Sequence, residues 1–309
     1  MSDRATVIEV RGLHKSFGGT RAVRGVDLEI REGEIFGVVG PNGSGKTTTV
    51  ECVTGLQRPD QGRVRVLGLD PERDRALVRR LVGVQLQQSQ LSERVTVREA
   101  LRLFATFYAD PADPEELMDT FGLREKADQQ FTKLSGGQKQ RLSIALALVG
   151  NPRVVVLDEL STGLDPAARR DTWAAVAALR ERGVTAVLVT HFMDEAEYLC
   201  DRVAVLVGGS VVALDTPEAL VASVSTTRVR FRARNTDVGA LRELPGVREA
   251  TAEGDALDLT GTGANLAFTV SAELGRQGIT PAEFTVHNSG LEDVMLALRT
   301  HNQDREART

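Results

Sequence analysis

Cysteine is nearly missing from this chain: Cys52 and Cys200 are the only two in 309 residues, they stand far apart, and no CxxC pair occurs. That excludes a disulfide framework and a cysteine-ligated zinc site, and it fits a reducing compartment. Long apolar runs are missing as well. The longest, such as Val154–Leu157 and Val203–Val207, fall far short of the roughly 18 residues that span a bilayer. Met1 to Leu13 alternates charged and apolar residues instead of building a secretory leader, so a soluble chain is expected. An excess of basic charge is absent too. With 38 basic and 43 acidic residues the formal charge is −5, which argues against a protein that holds polyanions by bulk attraction. Lysine is scarce, with five in the whole chain, so a lysine at a special position is not background.

What is present is ordinary globular composition, 41% hydrophobic and 26% charged, at a length that allows one large domain and a smaller one. Short strands are expected at Val7–Val10, Val26–Ile30, Glu34–Val39 and Arg63–Leu67, separated by glycine-bearing breaks. Three- and four-residue apolar spacing then predicts helices at Arg98–Tyr108, Pro114–Phe121 and Gly136–Val149, a helical insertion over about 88–150. Strand–helix alternation resumes with Val154–Leu157, a helix from Pro166 to Arg182, Thr185–Val189, a helix through Glu195, and Val203–Val207. That order builds a parallel sheet flanked by helices. After about Val224 the character changes. Arg228, Arg230, Arg232 and Arg234 alternate with apolar residues, as in a half-buried antiparallel strand, and the following βαββαβ order suggests a small ferredoxin-like domain. The expected domains are 1–224 and 225–309.

The chemistry begins where the apolar strand Ile35 to Val39 runs into Gly40-Pro41-Asn42-Gly43-Ser44-Gly45-Lys46-Thr47 and then a helix. This is the GxxxxGK[ST] phosphate cradle in its meaningful context. Glycines let backbone N–H groups converge on dense negative charge, and the helix adds its positive end. Lys46 can reach the β- and γ-phosphates, and the Thr47 hydroxyl can ligate Mg²⁺. Asp158 and Glu159 directly follow the apolar run from Val154 to Leu157, at the carboxyl edge where open parallel sheets bind ligands. Strand alternation predicts that they point opposite ways, Asp158 toward an outer-shell contact with Mg²⁺ and Glu159 toward the attacking water as general base. His191 ends another apolar strand at the same edge, where it can hold the γ-phosphate or that water.

Leu134-Ser135-Gly136-Gly137-Gln138 lies between the cradle and the carboxylates. Together these pieces resemble the nucleotide-binding subunit of an ATP-binding-cassette (ABC) transporter, over about residues 5–222. The resemblance implies an α/β fold, a P-loop cassette with an antiparallel β subdomain and the helical insertion, and ATP with Mg²⁺ as ligands. It implies that Thr48 extends the cradle, that Gln87 contacts nucleotide and metal and links to a membrane partner, and that Asp165 closes a D-loop running from Ser161. It further implies that Ser135, Gly136, Gly137 and Gln138 meet a second copy's nucleotide, giving a homodimer with ATP. Phe17 matches the position that stacks on adenine, with a core phenylalanine as the plain alternative. Leu160 departs from the family's usual proline. Ser289 to Val294, before the last helix, resembles the tail of export subunits of the daunorubicin-resistance kind. Those work with separate transmembrane permease subunits, at the cytoplasmic face of a bacterial membrane. Two other readings stay open at this point: a soluble ABC-type ATPase facing nucleic acid or the ribosome through its arginine stripe, and a regulatory nucleotide binder that does not hydrolyse.

Overall fold

The computed structural model describes residues 4–85, 91–224, 227–262 and 265–306. Packing divides the chain into units 1–217 and 218–309, a little ahead of the composition change near Val224. The first unit opens with long antiparallel strands β1 (Thr6–Phe17) and β2 (Thr20–Arg31). Then come β3 (Ile35–Val39), α1 (Lys46–Val53), β4 (Gln61–Val66), α2 (Arg75–Leu81) and β5 (Val82–Gln85). Helices α3 (Val97–Ala105), α4 (Pro114–Thr120) and α5 (Gly136–Leu148) fill the middle. β6 (Val154–Asp158), α6 (Pro166–Ala177), β7 (Thr185–Thr190), α7 (Met193–Leu199), β8 (Arg202–Val207) and β9 (Ser210–Asp215) complete it.

Six strands form one sheet in the order β5-β6-β7-β3-β8-β9, parallel except for β9, while β2-β1-β4 form a separate antiparallel sheet. β3, β6 and β7 are buried at every residue, because a parallel strand covered on both faces has no solvent side, and this is why they read as unbroken apolar runs. Phe36, Val38, Val156 and Val189 of the large sheet share one core with Val10 and Leu28 of the small one and with Val50 and Val53 of α1. The helices begin where their caps stand. Thr96 with Glu99 and Ser135 with Gln138 form capping boxes, and Asp113 and Asp165 cap helices that have proline in the first turn.

Three elements of this unit are additions to the sequence reading: α2, β5 and β9. α6 ends at Ala177 and not at Arg182, since the chain tightens into turns, with Leu179 N–H donating to Val176 O and Arg180 N–H to Ala177 O.

The second unit runs α8 (Pro217–Val224), β10 (Thr227–Arg232), α9 (Val238–Arg242), β11 (Val247–Glu253), β12 (Ala256–Gly261), α10 (Leu266–Arg276), β13 (Ala282–Asn288) and α11 (Leu291–Glu306). Its antiparallel sheet has the order β11-β12-β10-β13, the ferredoxin-like arrangement. Val229 and Phe231 of β10 face a core built with Leu257, Leu259, Leu266 and Val270. Arg228 and Arg230 on the other side pair with Asp258, and Arg232 with Asp255. Those acids neutralise much of the stripe, so it is a solvated strand face. β11 alternates poorly because it is an edge strand in which only Ala250 is buried.

Gly83 of β5 supplies a test of the first unit's packing. A Cβ there would lie 2.0 Å from the Ala147 carbonyl oxygen of α5, and main chain cannot swing aside as a side chain can. Gly83→Ala is expected to lower stability by about 1–3 kcal/mol, the usual cost of overpacking. Thermal denaturation measures this, and an unchanged midpoint refutes the close approach.

Candidate active site

The cradle is a loop that only glycine can trace. Gly40 follows β3, and a Cβ on it would lie 2.2 Å from Leu206 O; Gly45 has φ +94°, and its Cβ would lie 2.3 Å from Ala22 O. Between them Asn42 and Gly43 are exposed, Pro41 is half-buried, and the buried Ser44 donates its N–H to Pro41 O at 3.2 Å. The chain then enters α1 at Lys46, with Thr47 exposed and Thr48 half-buried in the first turn.

Lys46 is buried, and its Nζ donates to Gly40 O at 2.8 Å and Pro41 O at 3.0 Å. Burial pulls the ammonium below the usual lysine range, and the charges of Glu159 and Asp158 push it back up. Ser44 Oγ is buried without a hydrogen-bond partner. A buried cation held only by loop carbonyls, an unsatisfied hydroxyl and free helix-start N–H groups make a donor set that suits the oxygens of a phosphate chain.

The carboxylates stand at the end of β6, on the same sheet edge as the cradle. Asp158 ends β6, next to β7 and one strand removed from β3, with its N–H donating to Gln85 Oε1 at 3.1 Å. Burial first, and then the charge of Glu159, push its carboxyl up to about 6, against the pull of Lys46. Glu159 corrects the expected alternation. Its φ of +53° takes it out of the extended region, so strand alternation no longer fixes its direction, and its charge bears on Lys46 together with that of Asp158. Its N–H donates to Val189 O at 2.9 Å, and its Oε2 accepts from Thr162 Oγ1 at 3.3 Å. His191 follows β7, with Nδ1 3.6 Å from Glu159 Oε1, without a hydrogen-bond partner, and with its ring against Phe192.

The other expected residues divide. Phe17 ends β1 with 46% of its surface exposed, which removes the core alternative, and Lys15 Nζ lies 5.3 Å from the ring centroid. Ser135 and Gln138 hold one another, with Gln138 N–H donating to Ser135 Oγ at 3.3 Å and Ser135 N–H to Gln138 Oε1 at 3.0 Å. Gly136 lies beside Leu164, and a Cβ on Gly137 would come within 2.7 Å of Ala168 Cβ, so this segment packs on the start of α6. Asp165 accepts from Ala167 and Ala168 N–H as a helix cap. Gln87 lies outside the described residues. Sequence reasoning missed Gln85 and Lys15, and it placed Thr162 in the loop from Ser161 to Asp165 without a partner for its hydroxyl. Gln85 carried a signal, a polar residue ending an otherwise apolar strand; Lys15 carried none.

For Mg²⁺ the exposed Thr47 hydroxyl and the buried Asp158 carboxylate are hard oxygen ligands of the right kind. Among the described residues no group of three or more acidic, histidine or cysteine side chains could hold a metal.

Comparison with known proteins agrees with this geometry. Residues 23–162 match the family model described as ABC transporter. The chain is 37% identical over 309 residues to the daunorubicin/doxorubicin resistance ATP-binding protein DrrA of Streptomyces peucetius, covering 96% of this chain and 93% of that one. It is 42% identical over 222 residues to the Nod factor export ATP-binding protein I of Burkholderia lata, covering 70% and 73%. Among solved structures it resembles an ATP-binding cassette of an ABC transporter in its ADP conformation, with a TM-score of 0.62 and 26% identity over 70% of this chain and 92% of the other. It also resembles a dimeric bacterial ABC transporter cassette, with a TM-score of 0.59 and 28% identity over 68% and 98%. A glycine cradle, a buried lysine, paired carboxylates and a histidine at one sheet edge, together with full-length similarity to such proteins, place this chain in the ABC transporter ATP-binding family.

Proposed function

We propose that this chain is the ATP-hydrolysing motor of an exporter whose membrane-spanning part resides on separate subunits, with a drug, antibiotic, lipid or similar molecule as cargo. The carrying observation is the convergence of Lys46, Asp158, Glu159 and His191 on the carboxyl edge of the parallel sheet. The cargo class rests on the relatives named for daunorubicin/doxorubicin resistance and Nod factor export. Among the described residues no helix is long and apolar enough to cross a membrane; the resemblance to ATP-binding subunits of exporters supports a peripheral motor on the cytoplasmic face, where ATP is. Residues 1–224 act as the cassette, and 225–309 as an accessory domain.

Lys46 exchanges its two loop carbonyls for phosphate oxygens, and Ser44 Oγ and the α1 N–H groups take up the rest of the chain's charge. Thr47, Gln87 and Asp158 would hold Mg²⁺, which neutralises charge developing on the phosphates when bound. Phe17 stacks on adenine with its exposed face. Glu159, fixed by Val189 and Thr162, accepts the proton of the attacking water, and His191 holds that water or a γ-phosphate oxygen. Ser135 and Gly137 stand at the start of α5, on the far side of the chain sequence from the cradle, and serve the nucleotide of a second copy. Two cassettes closed head to tail complete two sites. ATP favours that closed pair only by its differential affinity for it.

Glu159→Gln is expected to keep ATP binding and lose turnover by about 10²-fold or more, the scale of a missing general base; a phosphate-release assay checks this, and near-normal turnover would sink the assignment. Lys46→Ala is expected to weaken ATP affinity by about 10- to 100-fold, as loss of charge-assisted hydrogen bonds implies. A fluorescent-nucleotide titration reads it out. With ATP and Mg²⁺, the Glu159→Gln chain is expected to double its mass in light scattering, and a single-chain mass in solution and in the assembled transporter would overturn the shared site.

A further inference from the structure

Glu195 of α7 is fully buried. Its Oε1 accepts from the Ser161 hydroxyl and, at 3.1 Å, from Trp173 Nε1, which also donates to Ser161 Oγ at 2.9 Å. Both donors are neutral. Burial pushes the carboxyl above its usual range, and hydrogen bonds from Ser161, Thr190 and Trp173 pull it back. A carboxylate removed from water costs stability unless its hydrogen bonds are well made, so its place in the fold calls for a reason.

The connections supply one. Ser161 lies two residues after Glu159, in the loop that ends at the helix cap Asp165, and Thr162 of that loop holds Glu159. Glu195 lies four residues after His191. Trp173 belongs to α6, whose first turn carries Ala168 against Gly137. The indole is itself fixed, stacked on Tyr198 with centroids 5.2 Å apart and with the Arg169 guanidinium 4.9 Å from its ring. One carboxylate thus joins the loop of Glu159, the helix after His191, and the helix that packs against Gly137.

We propose that Glu195 is a positioning residue for hydrolysis: by accepting from Ser161 and Trp173 it holds the Glu159 loop against the His191 segment, so that base and histidine meet at one attacking water and its phosphate. The role rests on the reading of Glu159 as general base. It needs an acceptor oxygen and not a charge. Glu195→Gln keeps that oxygen, whereas Glu195→Ala leaves the Ser161 hydroxyl without it. A network that only stabilised the core would shift the melting temperature without separating turnover from binding.

The test uses the purified full chain carrying Glu195→Ala, Glu195→Gln, Ser161→Ala, or Ser161→Ala with Glu195→Ala, assayed below each melting temperature. Glu195→Ala and Ser161→Ala are each expected to lower kcat about tenfold with the ATP Kd within about twofold, as misplacement of a reacting group does. The double variant is expected to be no worse than Glu195→Ala alone, and Glu195→Gln to keep kcat within about threefold. Unchanged kcat in Ser161→Ala, losses that multiply in the double variant, or a Glu195→Gln as impaired as Glu195→Ala would each overturn the role. If Glu195→Ala does not fold, Ser161→Ala and Glu195→Gln carry the test. Normal turnover in Glu159→Gln sinks the base assignment by itself; its loss there together with full turnover in Ser161→Ala sinks only the role of Glu195.

Discussion

Removing the Lys46 ammonium from water is unfavourable, and the site is arranged around that one group. The parallel register of β6, β7 and β3 brings the ends of three strands to one edge, with Val39 opposite Thr190 and Asp158 opposite Val189. Lys46 starts the helix that leaves β3, Asp158 and Glu159 leave β6, and His191 leaves β7. The ammonium therefore has two carboxylates near it and two loop carbonyls in contact. A phosphate chain entering the cradle meets a cation already desolvated and aimed, so little reorganisation is needed on binding.

The same edge holds a backbone conformation that a side chain normally avoids. Glu159 sits at φ +53°, a choice that costs on the order of 1–3 kcal/mol for a residue other than glycine. The Val189 carbonyl accepts its N–H, Thr162 reaches its carboxylate, and the following Leu160 is fully buried. Proline is not needed after the glutamate for the loop to turn here, because burial of Leu160 anchors the chain at that point. The outcome is a carboxylate held by Thr162 beside His191, whose charge acts on the lysine. Buried polar groups beneath it, at Ser161, Trp173 and Glu195, tie this turn to the segment after His191.

The second unit obeys a different logic. Its sheet buries one face under α9 and α10 and leaves the other to arginines matched by Asp255 and Asp258. Pairing of that kind keeps a strand face soluble while leaving little free charge for a polyanion. A relative that aligns over 96% of the chain includes this region, whereas a solved cassette covers 70% of the whole chain.

The amino-acid order by itself determined the parallel core, the cradle and the order of the chemical motifs. Unbroken apolar strands, glycine spacing and helix caps are local signals, carried by neighbours in the chain. It also determined the ferredoxin-like βαββαβ pattern, although β11 was weakly marked because an edge strand with one buried residue has little alternation to show. Tertiary structure alone decided that Gln85 accepts the backbone N–H of Asp158 and that Glu195 reaches Ser161 and Trp173. Those contacts join residues up to 73 positions apart, as with Gln85 and Asp158, and depend on which strands lie side by side. No periodicity encodes such adjacency, because it arises only when the sheet closes and burial forces each polar group to find its partner.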